Sequence, residues 1–209
     1  MNVLVIGGTR GVGKAVVLAA HFAGHTITVM ARHAAGFASS VSGVRTVMGD
    51  ASDATDVDRA TAGHDAVVWT VGVGPSRRPV QVFSRGTQFL LAAMGRHHVR
   101  RLICVTGIGA GDSKGHGGFL YDRILQPVFM KSIYEDKDRQ EAQIRESALD
   151  WTIVRPAALT NGPATGLYQA LTSMHESRAR RLSRADVAEF IVANLAAPEY
   201  VRKTVLLTT

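Results

Sequence analysis

Short apolar segments alternate with segments of helical spacing along almost the whole chain, and this alternation is the strongest constraint on the fold. Each apolar segment is rich in valine, isoleucine or leucine and mostly lacks polar alternation, which predicts strands covered on both faces. The segments are Val3–Ile6, Ile27–Ala31, Val44–Met48, Ala66–Val71, Leu102–Thr106, Thr152–Val154 and Val205–Leu207. Because strands that alternate with helices form parallel sheets, we expect an α/β fold, a doubly wound parallel sheet with helices on both faces.

Five segments between these strands have the spacing of helices. They are Val12–Ala23, Ala54–Ala62, Ser84–His97, Ser132–Ser147 and Arg184–Ala196. Ser183, followed three positions later by Asp186, resembles a capping box at the start of the last helix. The fourth helix is charged, and its sparse apolar points are Ile133, Ala142, Ile144 and Ala148. The chain has 209 residues, so we predict one domain over residues 1–209.

The composition excludes several classes of protein. Apolar residues make up 46% and charged residues 20% of the chain, as in globular proteins and unlike disordered ones. No run approaches 18 apolar residues, so no membrane span is expected, and the first residues lack the basic region of a signal peptide. Cys104 is the single cysteine and lies in an apolar segment, so we expect it to be buried and without disulfide or zinc chemistry. The expected location is a reducing compartment, the cytoplasm.

The net charge of +7 is compatible with solvation, with an anionic ligand or with nucleic acid. The basic residues are scattered in short groups, without a long basic run or interleaved aromatic residues, so nucleic acid is not the expected partner. The eight histidines include the adjacent pair His97-His98, whose side chains point different ways, and no metal site is predicted. The sequence leaves open whether the chain is a monomer or a homodimer.

The turn after the first strand carries the most specific motif. It reads Gly7-Gly8-Thr9-Arg10-Gly11-Val12-Gly13 and leads directly into the first helix. In this context Gly7 allows a tight turn, Gly11 lets a pyrophosphate approach the backbone, and Gly13 lets the helix pack closely on the strand. The N-terminus of the helix adds unpaired N–H groups and a positive dipole end. We therefore predict that the seven residues of this turn bind a dinucleotide.

The residues after the second and third strands indicate which dinucleotide is bound. An acidic residue after the second strand would bind a ribose 2′-hydroxyl, but Arg32 stands there, and Arg10 in the turn is a second cation nearby. Two guanidinium groups without a carboxylate favour the 2′-phosphate of NADP(H) over NAD. After the third strand, Asp50 is a candidate acceptor for the adenine amino group, and the Ala51 backbone a candidate contact with the ring. Asp53 is a candidate N-cap of the second helix.

With these motifs, the chain resembles the atypical short-chain dehydrogenases/reductases of the NAD(P)H-binding group, close to the biliverdin/flavin reductases and to NmrA-like proteins. The similar segments cover nearly the whole chain and are Gly7–Gly13, Gly49–Asp53, Asp65–Val68, Leu102–Ala110, Arg145–Pro156 and Leu182–Ala188. The resemblance implies a Rossmann fold, NADP(H) as cofactor and, often, reduction of a flavin or a related conjugated acceptor.

The resemblance also implies further cofactor contacts after the later strands. Val71 and Gly72 would line the cofactor after the fourth strand. Thr106 and Gly107 would lie beside the nicotinamide. Lys137 would hold the ribose hydroxyls, and Pro156 would lie near the carboxamide.

The chain departs from the family pattern in the groups that transfer protons. Many short-chain reductases have a tyrosine and a lysine four residues apart, whereas Tyr134 and Lys137 are three apart. This spacing still places both on one helix face, so Tyr134 is a candidate acid, with a packing or surface tyrosine as the alternative. The serine often found after the fifth strand is replaced by Gly107, which leaves Thr106 as the hydroxyl there. Alanines follow Pro156, where biliverdin-reducing relatives have a histidine.

The candidate catalytic residues are therefore Thr106, Tyr134 and Lys137, without a clear proton donor. This favours an acceptor that takes its proton from water, so the expected activity is NADPH-dependent hydride transfer to a planar acceptor such as a flavin or a quinone. A non-catalytic, NADP(H)-sensing NmrA-like regulator and a sugar-nucleotide epimerase or dehydratase are the alternatives. Substrate-side loops are predicted at about 107–131 and 157–183, and the first contains a glycine-rich segment that could act as a lid. Four aromatic residues in these loops are candidates to cover the acceptor: Phe119, Tyr121, Phe129 and Tyr168.

Overall fold

Ten strands are described, eight of them in one sheet. The computed structural model describes residues 1–34, 37, 41–74, 79–108, 131–173 and 180–209. The strands are β1 (Asn2–Ile6), β2 (Thr26–Ala31), β3 (Arg45–Met48), β4 (Ala66–Trp69), β5 (Arg101–Val105), β6 (Asp150–Pro156), β7 (Leu159–Thr160), β8 (Gln169–Leu171), β9 (Leu182–Ser183) and β10 (Lys203–Thr208). The order in the large sheet is β3-β2-β1-β4-β5-β6-β10-β8, and β7 pairs with β9.

Helices cover both faces of the sheet. They are α1 (Gly11–Phe22), α2 (Ala54–Thr61), α3 (Val82–Arg96), α4 (Lys131–Glu146) and α5 (Arg184–Ala193). Alternate residues of the strands point to opposite faces, so the core divides into two clusters. One contains Val3, Val5 and the buried residues of α1 and α5. The other contains Leu4, Ile6 and residues of α2, α3 and α4. Within the described residues, no helix combines the length and the apolar character that a bilayer crossing requires.

The predicted fold class is confirmed: the sheet is doubly wound and almost entirely parallel. The short edge strand β8, which the sequence pattern did not predict, runs antiparallel to β10. The expectation of strands covered on both faces is wrong for β3, which is an edge strand with half-buried and exposed residues. The short strands β7, β8 and β9 were not predicted, because two or three residues give no periodic pattern.

Several local predictions are confirmed. Asp53 caps α2, with its side chain accepting from the N–H groups of Thr55 and Asp56. Ser183 caps α5 by accepting from the Asp186 N–H at 2.9 Å. Cys104 is fully buried, and burial, with Glu141 as a smaller contribution, raises the pKa of its thiol.

The winding of the chain reverses the strand order at the centre of the sheet, the point where open α/β sheets form a cleft. From β1 the chain moves outward through β2 and β3, and then returns to β4 on the other side of β1. The strand order therefore reverses between β1 and β4, whose last residues, Ile6 and Trp69, are register partners. In open α/β sheets, ligands bind at this point, outside the carboxyl ends of the strands.

Candidate functional site

The turn between β1 and α1 is packed so tightly that only glycine fits at two positions. Gly7 has a φ of 88°. A Cβ atom on Gly13 would lie 2.4 Å from the Gly7 carbonyl oxygen and 2.5 Å from Thr70 Oγ1. Thr70 itself donates its N–H and its hydroxyl to the Ile6 carbonyl, at 2.9 and 3.0 Å. These contacts place the N-terminus of α1 at the carboxyl edge of the sheet, and they are the steric roles predicted for the two glycines. The part played by Thr70 was not predicted.

The two arginines predicted to bind the 2′-phosphate are exposed near this turn. Arg10 is the N-cap residue of α1 and makes no side-chain capping bond. Arg32 follows the last residue of β2. Neither guanidinium makes a hydrogen bond or an ion pair with another described residue. Both charges are therefore available to an anionic ligand, which a guanidinium binds through paired N–H donors.

The residues predicted to contact the adenine lie after β3. Asp50 accepts from the Ser52 N–H through Oδ1 at 2.8 Å, and its own N–H donates to Asp56 Oδ2 at 3.0 Å. Its second carboxylate oxygen has no acceptor role among the described contacts. Ala51 is buried, and its carbonyl oxygen would lie 2.6 Å from a Cβ atom on Gly86 of α3. The segment is thus fixed between α2 and α3, while contact with an adenine stays a prediction.

Val71 and Gly72 directly follow β4, on the other side of the strand-order reversal. Val71 is half-buried and packs against the α2–α4 side of the core, whereas Gly72 is exposed. Their place at the end of β4 puts them at the same edge of the sheet as the glycine turn.

Thr106 and Gly107 extend β5 beyond its last residue, beside the end of β6. The Thr106 N–H donates to the Val154 carbonyl at 2.9 Å, and the Ile108 N–H donates to the Pro156 carbonyl at 3.2 Å. The Thr106 side chain is buried and donates its hydroxyl to Glu141 Oε1 at 2.7 Å. A threonine hydroxyl has one proton. In this arrangement Thr106 therefore cannot also donate a proton to a substrate.

Lys137 of α4 reaches the same strand end. Its Nζ donates to the Thr106 carbonyl and lies 5.2 Å from the centroid of the Phe83 ring. A Cβ atom on Gly107 would lie 4.0 Å from this Nζ. Burial lowers the pKa of Lys137, opposed by the nearby Cys104 and Glu141. An ammonium group has three donors, so two are left for ligand oxygens such as ribose hydroxyls.

Glu141 joins these elements through a buried ion network that the sequence did not reveal. Its side chain is fully buried and accepts from Arg155 Nε at 3.1 Å and from the NH2 group of Arg155 at 2.6 Å. Arg145 donates to the same carboxylate at 2.8 Å. Arg155 lies on β6 and is 1% exposed. The network connects β5, β6 and α4 directly beneath Thr106.

Asp136 of α4 caps a different helix, α3. It is fully buried, and its Oδ2 accepts from the Phe83 N–H at 2.9 Å and from the Ser84 N–H at 3.3 Å. The hydroxyl of Ser84 donates to Oδ1. The N-cap residue of α3, Gln81, makes no side-chain capping bond. A carboxylate from a neighbouring helix therefore satisfies the first N–H groups of α3 and places Phe83 below Lys137.

Asp186 of α5 anchors the loop that follows β7. Its carboxylate accepts from the N–H groups of Thr165 and Gly166 at 2.6 and 2.9 Å, and from the Ser183 hydroxyl at 2.7 Å. Burial alone would raise its pKa, but the hydrogen bonds from Ser183, Thr165 and Gly166 lower it below its ordinary value. The start of α5 and the loop thus form one polar unit at the carboxyl edge of the sheet.

The remaining candidate residues include two tyrosines that the structure describes. Tyr134 is buried on α4. Tyr168 packs edge-on against Phe190 of the core, with 6.1 Å between the ring centroids. Parts of both predicted substrate-side loops, residues 109–130 and 174–179, lie outside the described residues. These parts include the other three aromatic candidates and most of the glycine-rich lid. The described residues contain no cluster of three histidine, cysteine, aspartate or glutamate side chains with the geometry of a metal site.

A comparison with known families bears on this cleft. The model of the family described as NAD(P)H-binding matches residues 7–198, from the glycine turn to the segment after α5. The chain belongs to this family. The predicted resemblance to the NAD(P)H-binding group is thereby confirmed.

The chain is also similar to three individual proteins. The chain is 27% identical over 93% of its length to the uncharacterized sugar epimerase YhfK of Bacillus subtilis, covering 88% of that protein. It is 31% identical over 75% of its length to the UPF0659 protein YMR090W of Saccharomyces cerevisiae, covering 66% of that protein. Among solved structures, the anaerobillin reductase ChuY of Escherichia coli O157:H7 superposes with a TM-score of 0.84 at 26% identity, covering 100% of this chain and 97% of ChuY.

Proposed function

We propose that the protein is an NADPH-dependent reductase that transfers a hydride to a planar, conjugated acceptor such as a flavin or a quinone. The observation that carries this proposal is the glycine turn, packed by Gly7 and Gly13 at the strand-order reversal of a chain that belongs to an NAD(P)H-binding family. Similarity to the anaerobillin reductase ChuY along the whole chain supports reduction as the reaction class.

The choice of NADPH over NADH rests on the two exposed arginines beside the turn. Arg10 and Arg32 have no acidic partner among the described residues, and a 2′-phosphate would supply one. No carboxylate stands after β2 to bind a ribose 2′-hydroxyl instead. The proposed roles of Asp50, Ala51, Val71 and Gly72 are contacts along the adenine and diphosphate side of the cleft.

The nicotinamide end of the cofactor would lie at the ends of β5 and β6. When bound, the reduced nicotinamide supplies the hydride. Lys137 would hold the ribose hydroxyls with the donors that Thr106 does not use, and Gly107 and Pro156 would limit the position of the ring. These residues position a reactant, which is a large part of what a hydride transfer requires.

The proposed acceptor class follows from the proton donors. The Thr106 hydroxyl is committed to Glu141, Tyr134 is buried, and alanines follow Pro156. An alkoxide product would need a placed acid. A flavin or quinone, in contrast, receives the hydride and then takes its proton from water. A small planar molecule is therefore the proposed partner, and the cytoplasm, which supplies NADPH in a reducing environment, is the proposed location.

The same committed hydroxyl supports one alternative, an NADP(H)-sensing protein without activity. In that case the cofactor would bind with the same preference but would not be oxidised by any acceptor. An epimerase activity is a further alternative, supported by the name of YhfK. It would return the hydride to the same substrate, and so it would cause no net oxidation of NADPH.

The test is a steady-state assay of NADPH oxidation with FMN, riboflavin, a soluble quinone and biliverdin as acceptors. We expect turnover with at least one of them, and a lower KM for NADPH than for NADH. Lys137→Met should raise the KM for both nucleotides, whereas Lys131→Met is the control, because Lys131 is exposed on the same helix. Tight NADPH binding with no oxidation by any acceptor would contradict the reductase and favour the sensor or the epimerase.

A further inference from the structure

Arg184, the first residue of α5, reaches the glycine turn from the neighbouring helix. Outside the chain neighbours of Gly11 and the nearby backbone of α1, the described heavy atom that a Cβ atom on Gly11 would approach within 4 Å is Arg184 Nε, at 4.0 Å. Gly11 is the first residue of α1, and α1 and α5 pack together on one face of the sheet. The guanidinium thus lies beside Gly11, where the motif predicts that a pyrophosphate approaches the backbone.

The charge of Arg184 is not neutralised within the described part of the chain. One terminal nitrogen of Arg184, Nη1, donates to the Thr160 carbonyl at 3.1 Å and to Asn161 Oδ1 at 2.7 Å. Both acceptors are uncharged. No described carboxylate lies within ion-pair distance of it, and Nε and the second terminal nitrogen have no described acceptor. A half-buried cation held in place with donors to spare has the properties of a binding group for an anion.

We propose that Arg184 binds the pyrophosphate of the dinucleotide, in addition to the N–H groups at the start of α1. This inference rests on the proposed function. It divides the arginines of the cleft into two classes: Arg184 serves the pyrophosphate, which NADPH and NADH share, whereas Arg10 and Arg32 serve the 2′-phosphate, which only NADPH has. Asn161 and Thr160 then act as positioning residues that aim the guanidinium.

The test uses three ligands whose phosphates differ: NADPH, NADH, and adenosine 2′-phosphate, which has a 2′-phosphate but no pyrophosphate. Arg184→Gln removes a charge that would hydrogen-bond to the pyrophosphate, so we expect it to weaken the binding of both dinucleotides about 10- to 100-fold. The affinity for adenosine 2′-phosphate should be unchanged. Arg181→Gln is the matched control, because Arg181 is exposed and its described hydrogen bond uses only its backbone carbonyl.

Isothermal titration calorimetry on the full chain separates the outcomes. Equal affinity of wild type and Arg184→Gln for the dinucleotides overturns the inference, and so does a loss restricted to NADPH, which would place Arg184 at the 2′-phosphate. If Arg184→Gln does not fold, Arg184→Met, which keeps the apolar stem, is titrated with the same criteria. Absence of dinucleotide binding by the wild-type protein would overturn the proposed function itself, and with it this inference.

Discussion

Two regions at the carboxyl edge of the sheet differ in whether their charged side chains are paired within the protein. The turn region comprises residues 7–13 with Arg32 and Arg184, and its arginines have no described acidic partner. The helix region comprises α4 with the ends of β5 and β6, and its central charges, Glu141 and Arg155, are buried and paired with each other. One region keeps its charges for a ligand, and the other uses them to hold its own structure.

This difference bears on the chemistry of the cleft. Protein cations without acidic partners gain most from an anionic ligand, which suits a dinucleotide phosphate. Groups committed to internal hydrogen bonds are poor proton donors, because a transfer would break the bonds that hold them. The comparison therefore supports tight cofactor binding combined with hydride transfer that depends on no acid from the helix region.

The largest expected effect is on stability in the helix region. Glu141→Gln removes a buried carboxylate that accepts hydrogen bonds from Arg155 and Arg145, so we expect a loss of about 3–5 kcal/mol in the free energy of unfolding. The control is Glu146→Gln, an exposed residue of the same helix, which should change it by less than about 0.5 kcal/mol. Urea unfolding measures both. A loss below about 1 kcal/mol for Glu141→Gln would show that the network is not structural.

A smaller loss is expected from overpacking in the turn region. Gly13→Ala places a methyl group 2.4 Å from the Gly7 carbonyl oxygen, so we expect a loss of about 2–3 kcal/mol and weaker binding of both dinucleotides. Gly95→Ala is the matched control, because Gly95 also lies in a helix but a Cβ there has nothing within 4 Å. It should stabilise the protein by about 0.5–1 kcal/mol. Effects of the same sign for the two variants, in thermal unfolding, would contradict this packing.

In the turn region, charge is expected to affect binding and not folding. Arg32→Asp replaces an exposed cation with an anion, and it should weaken NADPH binding by about 2–3 kcal/mol while leaving NADH binding unchanged or improved. The free energy of unfolding should change by less than about 0.5 kcal/mol. Fluorescence titrations with both nucleotides measure the effect. Equal losses for NADPH and NADH would assign Arg32 to the shared part of the cofactor.

The smallest expected effect concerns Asp186, whose carboxylate is committed to structure although it lies beside the turn region. Its hydrogen bonds lower its pKa in the folded state, so the unfolded chain binds the proton more readily. Its contribution to stability is present above the ordinary aspartate pKa of about 4 and is lost as the pH falls through the lower folded value. Asp186→Asn should therefore flatten the acid limb of stability against pH. An unchanged acid limb would contradict this role.

The turn region could be predicted from the sequence because its information is local. The glycines, the preceding strand and the following helix lie within a few positions of each other, and their steric roles in the structure match the motif. Arg10 and Arg32 could be placed because each directly adjoins a strand or helix end, whereas the place of Arg184 beside Gly11 was not predicted.

The helix region could not be predicted in the same way. The sequence pattern predicted Ala142 and Ala148 as apolar points of the fourth helix, but both are exposed, and Ala148 lies beyond the end of α4. The predicted Ile133 and Ile144 are buried, but the buried face also contains Asp136, Gln140 and Glu141. These residues find partners far away in sequence, such as Thr106, which is 35 positions from Glu141. Burial of a charge depends on such a partner, and an apolar pattern in one segment contains no information about it.

The most direct test of the account is calorimetric titration of the wild-type protein with NADPH and NADH at one salt concentration. The account predicts that NADPH binds at least about tenfold more tightly than NADH, because only NADPH offers a 2′-phosphate to Arg10 and Arg32. Equal affinities would contradict the assignment of these arginines. No binding of either nucleotide would contradict the claim that the turn of residues 7–13 holds a dinucleotide.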